Sequence, residues 1–70
     1  MSSKRTFTVL IERDEDGYYV ATVPALRGCH TQAKKLDTLM KRVREVIALC
    51  LEEGRNTRPL ELVGIQQISL

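Results

Sequence analysis

Tryptophan is absent from these 70 residues, and the aromatic side chains stop at one phenylalanine and two tyrosines. A sheet that holds single-stranded nucleic acid by stacking needs several rings on one face. Tyr18 and Tyr19 are adjacent and point to opposite sides of any strand, so packing or interface use outweighs a stacking platform. Cysteine is almost as scarce. Cys29 and Cys50 have neither metal-type spacing nor the numbers of a secreted disulfide framework, and they are expected as reduced, packed thiols. No apolar run is long enough to span a membrane. The polar opening from Met1 to Arg5 and the short run after it do not read as a secretory leader, so the expected address is the cytoplasm. An excess of one charge is missing too. Eleven Lys and Arg against nine Asp and Glu leave +2, too little for the total to argue for a nucleic-acid partner. Internal repeats and low-complexity tracts are also absent.

A chain of this length forms one domain, here residues 1–70, and buries only about 60% of the surface its unfolded form exposes. Folds below about 70–80 residues usually add a disulfide, a metal or a subunit interface. With no sign of the first two, a homo-oligomer is expected.

Apolar spacing then divides the chain. From Thr6 to Glu12, Phe7, Val9 and Ile11 alternate with Thr6, Thr8, Leu10 and Glu12, the two-residue period of a half-buried strand. The charged Arg13 to Asp16 segment ends at Gly17, a residue able to take positive φ, and predicts a hairpin into a second strand at Tyr18 to Val23. Pro24 ends that strand, Gly28 allows another reversal, and a short edge strand follows at Cys29 to Gln32. From Leu36 the period lengthens: Leu36, Leu39, Met40, Val43, Val46, Ile47, Cys50 and Leu51 recur at helical steps, and Gly54 with Pro59 beyond it predicts a stop near Glu53. Leu60 to Leu70 reads as a fourth strand, bulged at Gly64. The expected fold is α+β, a βββαβ unit in which one helix covers one face of a small mixed sheet. Strand 2 is apolar or aromatic on both sides, which implies that the uncovered face also meets something.

Each candidate for chemistry has a plainer reading that outweighs it. Asp14, Glu15 and Asp16 offer oxygen ligands, but neighbouring turn residues point different ways and no later acid completes a calcium-type shell. His30, the sole histidine, stands beside Cys29, yet a surface histidine on a short strand and an inert thiol are the better readings. No catalytic residue, cofactor site or metal site is assigned. The helix charges carry more information. Lys34, Lys35, Lys41, Arg42 and Arg44 crowd its N-terminal half, whereas Glu52 and Glu53 close its C-terminal end. Both groups oppose the macrodipole at up to about 1 kcal/mol per exposed site. A solvated face, partly neutralised by Asp37 and Lys41 at i,i+4, is the plainer account. An acidic or nucleic-acid partner is the other.

Asp16-Gly17-Tyr18, Val23-Pro24, Gly28-Cys29 and Thr31-Gln32, followed directly by the helix, resemble the HicB-like antitoxin domain over about Thr6 to Glu53. The resemblance implies a reduced RNase H-like βββαβ unit and an antitoxin role, exercised by covering a small RNA-cleaving, HicA-like toxin. It implies no catalysis, because RNase H-like chemistry needs carboxylates converging on metal ions and this chain keeps its acids at a turn and a helix end. Full antitoxins of this type often carry an added DNA-binding module, and none is expected if the chain is complete at Leu70. The helix departs from the family pattern, with Ala33-Lys34-Lys35 where a small polar cap is usual and basic residues where acids are common. The candidate partner surface is therefore the open sheet face and edge: Tyr18, Tyr19, Val20, Cys29, His30, Thr31 and Gln32. The alternative is a nucleic-acid-binding module that places Lys34, Lys35, Lys41, Arg42 and Arg44 on phosphates.

Overall fold

The structure, a computed structural model, describes residues 6–54 and 60–70. The elements run β1 (Leu10–Arg13), β2 (Tyr19–Thr22), β3 (His30–Ala33) and α1 (Leu36–Glu52). The three strands form one antiparallel sheet in the order β1-β2-β3.

Side-chain and backbone chemistry at the turns explains why the chain reverses where it does. At the first, Asp14 Oδ1 accepts the backbone N–H groups of Asp16 at 3.0 Å and Tyr18 at 2.9 Å, and Gly17 takes a φ of +85°. The first carboxylate of the acidic run therefore closes the hairpin, as an Asx-turn does. At the second, the Leu26 N–H donates to the Val23 carbonyl at 3.0 Å with Pro24 between them, where its fixed φ suits a tight turn. Cys29 N–H then reaches the Leu26 carbonyl at 3.2 Å, and Val23 N–H reaches Cys29 at 2.9 Å. Leu26 is buried inside this double turn and ties the connector to the core.

Helix α1 packs on β3 and β2 and covers one face of the sheet, as the layering argument requires. Leu39 and Val43 meet the short side chains of Ala21 and Ala33, while Cys50 meets Val23, Leu26 and Cys29. Val9 and Ile47 touch both groups. The apolar stripe is narrower at its start than the spacing suggests, since Leu36 and Met40 stay 47% and 42% exposed. Lys35 has N-cap geometry (φ −125°, ψ 142°) but its side chain makes no capping bond. At the other end Glu53 N–H reaches the Leu49 carbonyl at 2.9 Å, and Gly54 adopts φ +71° with its N–H 3.1 Å from the Leu51 carbonyl. The helix stops where Gly54 predicts; Pro59, the other stop signal, lies outside the described residues.

Two expectations are corrected: the first strand, expected at Thr6 to Glu12, spans only Leu10–Arg13, and the fourth does not form. Residues 60–70 form no strand, so the observed order among the described residues is βββα and the sheet is antiparallel rather than mixed. The reason lies in the parity of the segment. Leu60, Leu62, Ile68 and Leu70 fall on one side of an extended chain, Val63 and Ile65 on the other, so neither face is consistently apolar. The core is already filled by residues before Glu52, and every residue from 60 to 70 is exposed.

Two outcomes test this account. Leu39→Ala, at the fully buried contact between helix and sheet, should lower unfolding free energy by about 2–5 kcal/mol in a urea titration. Lys35→Ser supplies the missing cap and should raise it by about 1 kcal/mol.

Candidate functional site

Alternation and register together sort the candidate partner residues onto two faces. Leu10 pairs with Thr22 and Glu12 with Val20; across the next ladder Val20 pairs with Gln32 and Thr22 with His30. Directly paired residues share a face and alternate residues along a strand do too. Tyr18, Val20, His30 and Gln32 therefore stand on the face that α1 leaves uncovered. Leu10, Glu12 and Thr22 stand beside them and complete the surface. Sequence alternation had placed Leu10 and Glu12 together, but only the pairing register shows that they adjoin Val20 and Thr22.

The remaining three candidates belong to the opposite face. Tyr19 packs on the core group of Ala21 and Leu39, and the Arg13 guanidinium lies 5.6 Å from its ring centroid. Thr31 pairs with the buried Ala21 and faces the helix. Cys29 is 1% exposed, with Sγ 3.8 Å from the Val46 carbonyl. Its thiol is a core side chain. Cys29 and Cys50 are both buried thiols packed in the core, as expected.

The basic residues also divide. Where β3 passes into α1, Tyr18, Ala33, Lys34, Lys35, Thr38 and Arg42 line an open groove of about 460 Å³. Lys34 Nζ sits 5.3 Å above the Tyr18 ring, and Arg42 donates a hydrogen bond of 2.8 Å to the Gln32 carbonyl. That bond occupies one main-chain acceptor of the β3 edge and fixes the helix against the strand. Lys41 and Arg44 are exposed but do not line the groove. At 100° per residue they sit on the solvent-facing back of a helix whose buried line runs through Leu39 and Val43. The structure thus joins Tyr18, from the partner-surface set, to Lys34, Lys35 and Arg42, from the phosphate set. Sequence alone could not pair them because they meet only after the sheet and helix have docked.

His30, exposed at the start of β3, borders a second open cavity of about 210 Å³ with Thr22, Pro24 and Arg27. Among the described residues, no helix is long and apolar enough to cross a membrane.

Comparison with known proteins gives a consistent result. The sequence model of a family described as HicB-like antitoxin of bacterial toxin-antitoxin system matches residues 7–64. A UPF0150 protein of Archaeoglobus fulgidus is 55% identical over 64 residues, covering 91% of this chain and 93% of its own length. A UPF0150 protein of Synechocystis is 50% identical over 66 residues, covering 94% and 96%. Another, from Thermotoga maritima, is 35% identical over 69 residues, covering 96% and 92%.

Proposed function

The chain belongs to the HicB-like antitoxin family of bacterial toxin–antitoxin systems, and on that premise we propose that it is a non-catalytic, cytoplasmic antitoxin-type protein acting as one domain. It works by covering a small RNA-cleaving, HicA-like toxin with the open face of its sheet. The observation that supports this reading is the one-sided layering. α1 covers the face bearing Ala21 and Ala33, whereas Tyr18, Val20, His30 and Gln32 remain on the other without a second layer among the described residues. A half-buried aromatic and a β-branched residue with polar neighbours make the mixed surface that protein interfaces use. The adjoining β3 edge offers backbone groups for strand addition, apart from the Gln32 carbonyl that Arg42 already holds.

A second reading is favoured by the groove at the start of α1. Tyr18 beside Lys34, Lys35 and Arg42 is a small aromatic-and-cation site suited to nucleic-acid phosphates and a base. Two of its cations are already engaged within the chain, Lys34 on Tyr18 and Arg42 on Gln32. Lys41 and Arg44 lie away from it. This places the nucleic-acid reading behind the protein-contact reading.

One capture experiment separates the two. Tagged protein recovered from its own cell lysate with nuclease and moderate salt should carry a small, basic, stoichiometric partner. Val20→Glu on the open face should weaken that complex by at least about tenfold, while Lys41→Glu with Arg44→Glu should leave it intact. If only nucleic acid is recovered, if it disappears with nuclease and salt, and if Lys34→Glu with Lys35→Glu abolishes it, the phosphate-binding reading replaces the first.

A further inference from the structure

Residues 60–70 carry six large apolar side chains in eleven positions and a single charged side chain, Glu61. All are exposed, with Val63 at 92%, Ile68 at 81% and Ile65 at 71%. The segment passes beside the β1 edge without joining its ladder. Leu60 and Leu62 border a cavity of about 210 Å³ with Thr8, Leu10 and Pro24. Further along, Ile65 and Gln67 border one of about 420 Å³ with Val9 to Glu12. β1 is an end strand of the sheet, so its outer side has no strand partner among the described residues.

We propose that residues 60–70 are a dimerisation arm: each chain lays its arm along the β1 edge of a second copy, and the exchange is reciprocal about a two-fold axis. The chemistry favours a second copy over another kind of partner. Beyond Glu61 the arm has no charged side chain, which excludes phosphate or an acidic peptide as its natural complement. Its apolar residues lie on both sides, so one sheet edge cannot cover it and a surface from another molecule must. Arm and acceptor edge lie side by side on the same chain, which is the self-complementary arrangement an isologous contact needs. The arm together with the residues it borders, Thr8 to Glu12 and Pro24, comes close to the about 20–30 residues per side of a stable interface. Dimerisation on β1 draws Leu10 and Glu12 into the contact and leaves His30, Gln32 and the β3 edge, at the other side of the sheet, available to a second protein.

Light scattering on the full chain during size exclusion, at about 100 µM, tests this directly. The expected mass is twice 8.0 kDa or an even multiple of that dimer. Ile65→Glu with Ile68→Glu should raise the dimer dissociation constant at least about 100-fold and give monomer, with the helical circular dichroism unchanged because neither residue touches the core. If that signal changes, Ile65→Ser with Ile68→Ser takes its place. A monomeric parent chain, or a dimer that survives both arm variants, overturns the proposal.

Discussion

Everything else in this fold depends on the closeness with which α1 sits on the sheet. Leu39 and Val43 enter the space left by Ala21 and Ala33, two small side chains on the neighbouring strands β2 and β3. Larger residues there would push the helix outward and open the second group, in which Cys50 meets Val23, Leu26 and Cys29. Burial of a side chain such as Leu39 contributes about 1.5–3 kcal/mol, a large share of the stability of a chain this small. The double turn from Val23 to Cys29 serves the same contact, since it returns the chain into β3 and drives Leu26 and Cys29 inward.

With one helix and one three-stranded sheet among the described residues, the helix covers only one sheet face. That constraint decides which side chains stay outward. The uncovered face carries Tyr18, Val20, His30 and Gln32, and the two end strands leave backbone groups facing outward. The two edges differ in chemistry. The β3 edge is flanked by polar residues and by the cations Lys34, Lys35 and Arg42, whereas the β1 edge adjoins the uncharged run after Glu61. One fold thus presents two dissimilar borders, suited to two dissimilar contacts. Arg42 adds a further constraint, because its bond to the Gln32 carbonyl links the position of the helix to the geometry of the β3 edge.

The sequence by itself determined the local elements of this protein, because each rests on short-range physics. The two-residue period of β1 and β2, the Asp14 to Gly17 turn, the Pro24 stop and the helix end at Gly54 all act within a few residues, and each forms, with β1 confined to Leu10–Arg13. Its family resemblance was legible for the same reason, since the Asp-Gly-Tyr, Val-Pro and Gly-Cys pairs are the turn-forming positions. What only the tertiary structure decided was how those elements share surface. It sent Tyr19, Thr31 and Cys29 to the covered face and Tyr18, Val20, His30 and Gln32 to the open one. It separated Lys41 and Arg44 from the groove that Tyr18 forms with Lys34, Lys35 and Arg42. It also kept residues 60–70 out of the sheet, although their composition suits a strand. In each case the deciding quantity is non-local: a pairing register, a helix rotation, or a core already filled by residues far away along the chain.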